Sequence, residues 1–422
     1  MKKNILIIMF LMFLILIGTV NSEIYRSKKR GICANKLYKE DIEVLQKGVS
    51  WWYNWYFKSD DIFPGMTMEF IPMVWEANPE YLKGFEELLK SGFKPQYVMV
   101  INEPNLKGQA YLKLKECAEL YQKIEEVAKK YNVEVAGPHM ALGSAEKDSI
   151  TDYDPIEKKT VTYTYMVPYL KAFFYYLGGE GKTKYIGVHP YGDINEVKWL
   201  IGMLAKEFPN HKIWVSEFAW WRGKDEDELI NKYMIEAIEI FESATNVVKY
   251  AWFKERTWDW SDPLSHKLSI LQKEPGKLTK VGKIYVNMPY HNPDLYFAVP
   301  GKIEAGCYAY GNGMKIKYDS ESTNENEMFY AVHLHKTGDW AEYNIDVSKS
   351  GKYNLFIKIG SENPVDLEIL VNKNVVAKIK ETNSPQEYWR LLKTSLKLNK
   401  GKNVIKLVFN DRGPKLKYLE FK

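Results

Sequence analysis

The sequence predicts an α/β fold, a (β/α)8 TIM barrel followed by an all-β jelly-roll sandwich. Three observations carry that expectation. Eight short, nearly continuous apolar runs alternate with amphipathic stretches within residues 23–286. Runs that are apolar on both faces suit parallel strands covered on both sides. No glycine-rich phosphate loop follows the first run, which disfavours a doubly wound open sheet. From Lys302 onward the helical period gives way to two-residue alternation between turns, the pattern of a sandwich.

In chain order, the strand-like runs are 30–33, 48–53, 69–74, 97–101, 133–137, 185–189, 213–216 and 248–252. Between them, 79–90, 112–130, 163–177, 195–207 and 227–243 carry apolar residues at helical spacing, with Lys and Glu on the other face. Residues 287–301 hold Pro289, Pro293 and Pro300 and read as a linker. The second domain, 302–422, then alternates through 340–347, 352–359, 366–371, 376–380, 391–398 and 403–408.

The first 22 residues stand apart. Lys2 and Lys3 precede an apolar run from Ile5 to Ile17, and small residues follow as far as Ser22. That run is short of the ~20 residues a membrane span needs, so 1–22 reads as a cleaved secretory signal. An uncleaved anchor is the alternative. The expected product is secreted, monomeric and not membrane-bound once the signal is removed.

Composition excludes several classes. Apolar residues make up 45% and charged residues 27% of the chain, a balance that builds a core and keeps the protein globular. A net charge of +5, with no Lys/Arg block interleaved with aromatics, is too weak to imply nucleic acid. Cys33, Cys117 and Cys307 have no zinc-ligand spacing with histidine, and no metal or other cofactor is expected. A Cys33–Cys117 bridge is open to a secreted chain. Thirteen Trp and thirty Tyr are a heavy load. Sugar rings present apolar C–H faces to aromatic rings, so this surplus suits a carbohydrate binder, although a large aromatic core would explain it too.

In a barrel, reacting groups stand at the carboxyl ends of strands. The fourth run leads into Asn102-Glu103-Pro104-Asn105 and the seventh into Glu217-Phe218-Ala219-Trp220-Trp221. Two glutamates thus arrive three strands apart on one face. Glycosidic cleavage needs such a pair: one carboxylic acid protonates the leaving oxygen, and the other carboxylate attacks the anomeric carbon. A single strand-end Glu is more often an ion-pair partner or a helix cap; two together are harder to explain that way. Other strand ends offer Trp52, Asn54, Trp75, His139, His189, Tyr191, Trp220 and Trp252 as sugar contacts. Asn102 is placed to bond a sugar 2-hydroxyl. Alternation allows only one of Trp51 and Trp52 to face inward.

The runs GVSWWYNW, FIPMVW, NEPN, GVHPYG, WVSEFAWW and KYAWF, in this order, resemble glycoside hydrolase family 128. The resemblance implies a retaining endo-β-1,3-glucanase acting on β-glucan, with the acid/base at Glu103 and the nucleophile at Glu217. Asn105 departs from the aspartate common at that place. The C-terminal region, from IEAGCYAY through GDWAEYNIDV to KYLEF, resembles a family 6 carbohydrate-binding module. There the usual sugar-stacking aromatic aligns with Leu334, a later Trp with Gln386, and a ligand Asn with Lys415 or Lys417. Gly306 replaces a glutamate of the usual opening, and Trp340 and Trp389 read as core. The alternatives are a retaining hydrolase or transglycosylase on another β-glucan, or a non-catalytic wall-binding protein.

Overall fold

The computed structural model describes residues 26–220, 227–257, 259, 261–291, 293–319, 329–411 and 413–422. The expected signal segment and Trp221 lie outside them.

The N-terminal part is a mixed α/β domain. Its strands are β1 (Arg30–Cys33), β2 (Trp51–Tyr53), β3 (Glu69–Phe70), β4 (Met73–Val74), β5 (Tyr97–Val100), β6 (Glu134–Ala136) and β7 (His139–Ala141). A hairpin of β8 (Thr151–Asp154) and β9 (Lys159–Thr162) follows, then β10 (Tyr185–His189), β11 (Lys212–Phe218) and β12 (Val247–Trp252). The helices are α1 (Lys39–Leu45), α2 (Pro79–Lys90), α3 (Leu114–Lys130), α4 (Met166–Leu177), α5 (Ile194–Glu207), α6 (Asp227–Ser243), α7 (Pro263–Leu268) and α8 (Lys280–Asn287). Asn78 caps α2 ahead of Pro79, and Asp193 caps α5 through two backbone amides, as helix starts require.

The parallel ladder expected to run unbroken through eight strands is interrupted twice. One sheet runs β3-β2-β1-β12-β11-β10-β7 and a second runs β4-β5-β6. The breaks fall at Ile71-Pro72 and Gly137-Pro138, between β3 and β4 and between β6 and β7. Proline has no N–H to give to a ladder. The run 69–74 therefore becomes two short strands, and 133–137 is followed by an unforeseen partner, β7. The hairpin β8–β9 was also unforeseen. It delays α4, which starts at Met166 rather than at 163.

Both sheets feed one inner cluster of Cys33, Trp51, Tyr53, Ile71, Met73, Met99, Ala136, Tyr185, Trp214 and Ala251. Small residues make room for large ones. A Cβ on Gly31 would lie 2.1 Å from the Trp51 ring, and one on Gly187 would lie 2.1 Å from His139. The cysteines are free among the described residues. Cys33 faces inward and Cys117 lies on α3, so no bridge joins them.

The C-terminal part is a sandwich of two sheets, antiparallel but for one edge strand. One contains β13 (Phe297–Val299), β18 (Asp339–Val347), β23 (Gly401–Phe409), β20 (Asp366–Val371) and β21 (Asn374–Lys380), with β15 (Tyr310–Asn312) on β18. Facing it are β16 (Met314–Asp319), β17 (Phe329–Leu334), β24 (Lys415–Phe421), β19 (Gly351–Gly360) and β22 (Trp389–Leu398), with β14 (Gly301–Glu304) on β24. Alternation puts Leu355, Ile357, Ile405 and Leu407 between the layers. The stretch read as linker loses its last residues to this domain. Phe297 and Val299 point inward, Ala298 points outward, and β13 pairs with β18 in parallel. Trp389 is buried and Leu334 is core. Tyr330 Oη donates to the Ile284 carbonyl at 2.6 Å, tying the sandwich to α8.

Candidate active site

The two glutamates meet at the carboxyl ends of the strands. Glu103 follows β5 through a sharp turn. Its φ is 45°, and its amide donates to the His139 carbonyl at 2.6 Å. Asn105 fastens the same turn: its amide nitrogen gives to the Ala141 carbonyl at 2.9 Å, and its oxygen accepts from the Ala141 amide at 3.2 Å. An aspartate could only accept there, so the departure at Asn105 has a local use. Glu217 sits near the end of β11, where the register with β12 shifts between Val215 and Phe218. Such a bulge lets neighbouring side chains face the same way, and both Ser216 and Glu217 turn inward.

Both carboxylates are buried, at 7% and 6% exposure, so their partners decide their behaviour. Glu217 Oε1 accepts from Trp55 Nε1 at 2.7 Å and from Tyr53 Oη at 3.0 Å. Tyr191 Oη donates to Oε2. Burial, with the nearby charge of Glu217, pushes both tyrosine pKa values well up and keeps them as donors. His189 Nδ1 lies 2.8 Å from Glu103 Oε1 and 3.7 Å from Glu217 Oε2. Those two oxygens are therefore no further apart than both legs laid end to end, about 6.5 Å, the lower edge of the roughly 6.5–9.5 Å spacing of inverting pairs.

Behind His189 stand Ser216 and His139. Ser216 Oγ is 3.0 Å from His189 Nε2 and 2.6 Å from His139 Nδ1. His139 Nε2 is 3.0 Å from the Ala136 carbonyl. Desolvation lowers the His139 pKa to about 3. For His189 desolvation pulls the same way, but Glu217 and the hydrogen bond to Glu103 outweigh it, and its pKa is raised.

The other predicted contacts divide. Asn102 is buried beside Glu103, with its amide nitrogen on Gln109 at 3.0 Å and its Oδ1 without a partner among the described residues. Trp75 is half-buried against the inner cluster at this mouth. Trp220 is half-buried against Tyr233, its indole N–H without a partner among the described residues. Asn54 bonds the Lys58 carbonyl at 3.0 Å and the Tyr56 amide at 3.1 Å. It holds the turn that presents Trp55, at φ 58°, and does not itself reach the carboxylates.

Three expectations fail. His139 is fully buried behind Ser216 and His189 and is not within a sugar's reach. Trp52 is fully buried on the helix side of β2, 4.9 Å from Phe70. Trp252 is fully buried with Phe218 and Tyr233, and its Nε1 donates to the Leu268 carbonyl at 2.7 Å. Both tryptophans occupy the outward phase of their strands, because Trp51 and Tyr53 take the inward phase of β2 and Ala251 that of β12. Sequence reasoning missed Tyr53, Trp55, Ser216 and Gln109. It also missed Phe253, half-buried at the mouth with Trp55 at 5.8 Å and Tyr191 at 5.7 Å. The alternation of β2 already offered Tyr53 once Trp51 was taken as inward.

A mixed α/β domain that buries two carboxylates under one histidine, beside a β-sandwich, defines a glycoside hydrolase with an appended module. Residues 31–285 match the family described as glycosyl hydrolase catalytic core, and 304–422 match the carbohydrate binding module (family 6). The chain belongs to that glycosyl hydrolase family, in its family 128 branch. It is similar to a subgroup II endo-β-1,3-glucanase of Pseudomonas viridiflava, with 29% identity and a TM-score of 0.53, covering 63% of this chain and 99% of that one. It is also similar to a subgroup II endo-β-1,3-glucanase of Sorangium cellulosum, with 26% identity and a TM-score of 0.53, covering 63% and 100%. No curated relative matches the chain.

Proposed function

We propose that the chain is a secreted, retaining endo-β-1,3-glucanase whose α/β domain forms a closed (β/α)8 barrel. The barrel reading is supported by the single inner cluster that both sheets share. The substrate reading is supported by the 29% identity to an endo-β-1,3-glucanase over nearly all of that protein. The observation that carries the mechanism is that Glu103 and Glu217 both stand beside His189 Nδ1, at 2.8 and 3.7 Å, on the side of a close pair.

Protonated Glu103 gives its proton to the glycosidic oxygen as that C–O bond breaks. Glu217 attacks the anomeric carbon and forms a glycosyl ester. Glu103, now a carboxylate, takes a proton from water, and the water oxygen displaces Glu217. Two inversions restore the configuration. Three neutral donors on Glu217 hold it in place without cancelling its charge. Asn102 Oδ1, buried and without a partner among the described residues, can accept from the sugar 2-hydroxyl.

The test is reducing-end release from laminarin and curdlan, with NMR of the first-formed anomer. A β-anomer from the wild type, and no product from Glu217→Ala, are expected. An α-anomer would end the retaining reading. Turnover only on mixed-linkage glucan or cellulose would end the β-1,3 assignment.

A further inference from the structure

The row Ala136 carbonyl, His139, Ser216, His189, Glu103 has a direction. A carbonyl only accepts, so His139 Nε2 must carry a hydrogen, at 3.0 Å. His139 is neutral, because burial holds its pKa near 3, so its Nδ1 is bare and accepts from the Ser216 hydroxyl at 2.6 Å. That hydroxyl has spent its one hydrogen. It can therefore only accept from His189 Nε2 at 3.0 Å. A neutral His189 then has a bare Nδ1 facing Glu103 Oε1 at 2.8 Å.

We propose that this chain locks His189 in its Nε2–H tautomer, so that Glu103 and His189 share one proton and His189 is the positioning residue that keeps the acid loaded. Were Glu103 ionised beside neutral His189, a lone pair would face a carboxylate. A proton between the two atoms, 2.8 Å apart, removes that repulsion. In glycosylation that proton goes to the leaving oxygen. In deglycosylation the empty pair takes one from water, so the count closes over a turnover. Ser216 and His139 act through His189 and touch no substrate.

The charged and titratable groups around the pair fit this assignment. Glu217 on β11 lies 3.7 Å from His189 Nδ1 and favours the proton. His139 on β7 stays neutral. Tyr191, beyond β10, keeps its own proton. Tyr53 on β2, Cys33 on β1 and Lys254 beyond β12 face Glu217, whose charge acts on each of them.

The inference rests on Glu103 as the acid, and its test separates the two. Side-chain ¹⁵N NMR of the histidine-labelled full chain reads tautomers without substrate, with His139→Gln and His189→Gln identifying the resonances. Both histidines are expected as Nε2–H, with His139 not titrating down to about pH 4. A neutral His189 protonated at Nδ1, or a His139 titrating near neutrality, overturns the proposal even if the enzyme is active. In kinetics, Ser216→Ala frees His189 to turn its N–H toward Glu103, which favours the ionised acid. The basic limb of kcat/KM should move down by about one pH unit, with kcat falling about 10-fold or more and KM little changed. Ser216→Thr should restore the limb. An unmoved limb in Ser216→Ala overturns the proposal. A wild type without glucanase turnover sinks the proposed function, while the NMR still decides the tautomer lock.

Discussion

At the carboxyl ends of the strands, Tyr53, Trp55 and Tyr191 point N–H and O–H groups at a buried carboxylate. At the opposite end of the same inner cluster, Trp51, Tyr97 and Trp214 present ring faces to the ammonium of Lys249, at 5.4, 5.4 and 5.6 Å. Both ends combine aromatic rings with a charge in a desolvated place. Aromatic edges and hydroxyls that donate leave an anion ordered yet reactive. Aromatic faces over a cation hold a charge through ring quadrupoles, and there Trp214 Nε1 is without a partner among the described residues. At the mouth, Asn102 Oδ1 is without a partner among the described residues and stands beside the two carboxylates. The aromatic surplus in the composition therefore does not mark a sugar site; the direction in which each polar atom points does.

The largest effect that tests this contrast comes from Glu217→Ala. Loss of the carboxylate proposed as nucleophile should lower kcat by at least about 10⁴-fold, while Tm stays level or rises, because a buried charge is gone. The check is turnover on laminarin beside a melting curve. A variant that keeps activity would show that the mouth is not where the chemistry occurs.

Trp51→Ala acts at the other end and should reverse the readouts. It empties a fully buried site and removes a 2.8 Å hydrogen bond from Nε1 to the Lys29 carbonyl. The expected cost is about 3–5 kcal/mol of stability, with kcat per folded molecule unchanged. Urea titration together with active-site-normalised turnover separates the two. A fall in kcat at full folding would mean that the floor is coupled to the chemistry.

Tyr53→Phe is smaller and lies at the mouth. One of the donors to Glu217 Oε1 is lost while Trp55 keeps its own. A hydrogen bond to a charged group contributes about 1.5–3 kcal/mol, so kcat/KM should fall roughly 10- to 100-fold, with little change in Tm.

What the sequence made legible follows the same division. Glu103 and Glu217 were readable as a strand-end pair because each stands at the end of a short apolar run, and glycosidic cleavage needs two carboxyl groups. Six sandwich strands, β18 to β23, were readable because alternation survives burial on one face, whereas β13 to β17 and β24 were not read. Trp52 and Trp252 misled because alternation defines two phases without saying which one is inside. Gly31 and Ala251 settle that only once the register of β1, β2 and β12 is known. Ser216 was hidden by the bulge, which turns two adjacent residues inward against the two-residue period. The breaks at Pro72 and Pro138 were written in the sequence, but their consequence depends on which neighbour needed the missing N–H.

The smallest effect belongs to Lys249→Met. Burial lowers the Lys249 pKa to about 8, against 10.5 for the free side chain, with Glu69 opposing the shift. The folded state thus gives up the proton more readily than the unfolded one. Below about pH 8 both states carry the charge and the folded protein bears the full burial penalty. Between about pH 8 and 10.5 the unfolded chain binds more protons, so stability rises with pH through that window. Three ring faces offset part of the penalty, and the net change on substitution at pH 7 should stay within about 1 kcal/mol. Methionine cannot titrate, so its variant should lose the rise above pH 8 while kcat stays at the wild-type value. Urea unfolding at pH 7 and pH 10 measures both terms. A variant with an unchanged pH slope would mean that the three rings hold the ammonium charged, making the floor a true cation site and not a desolvated plug.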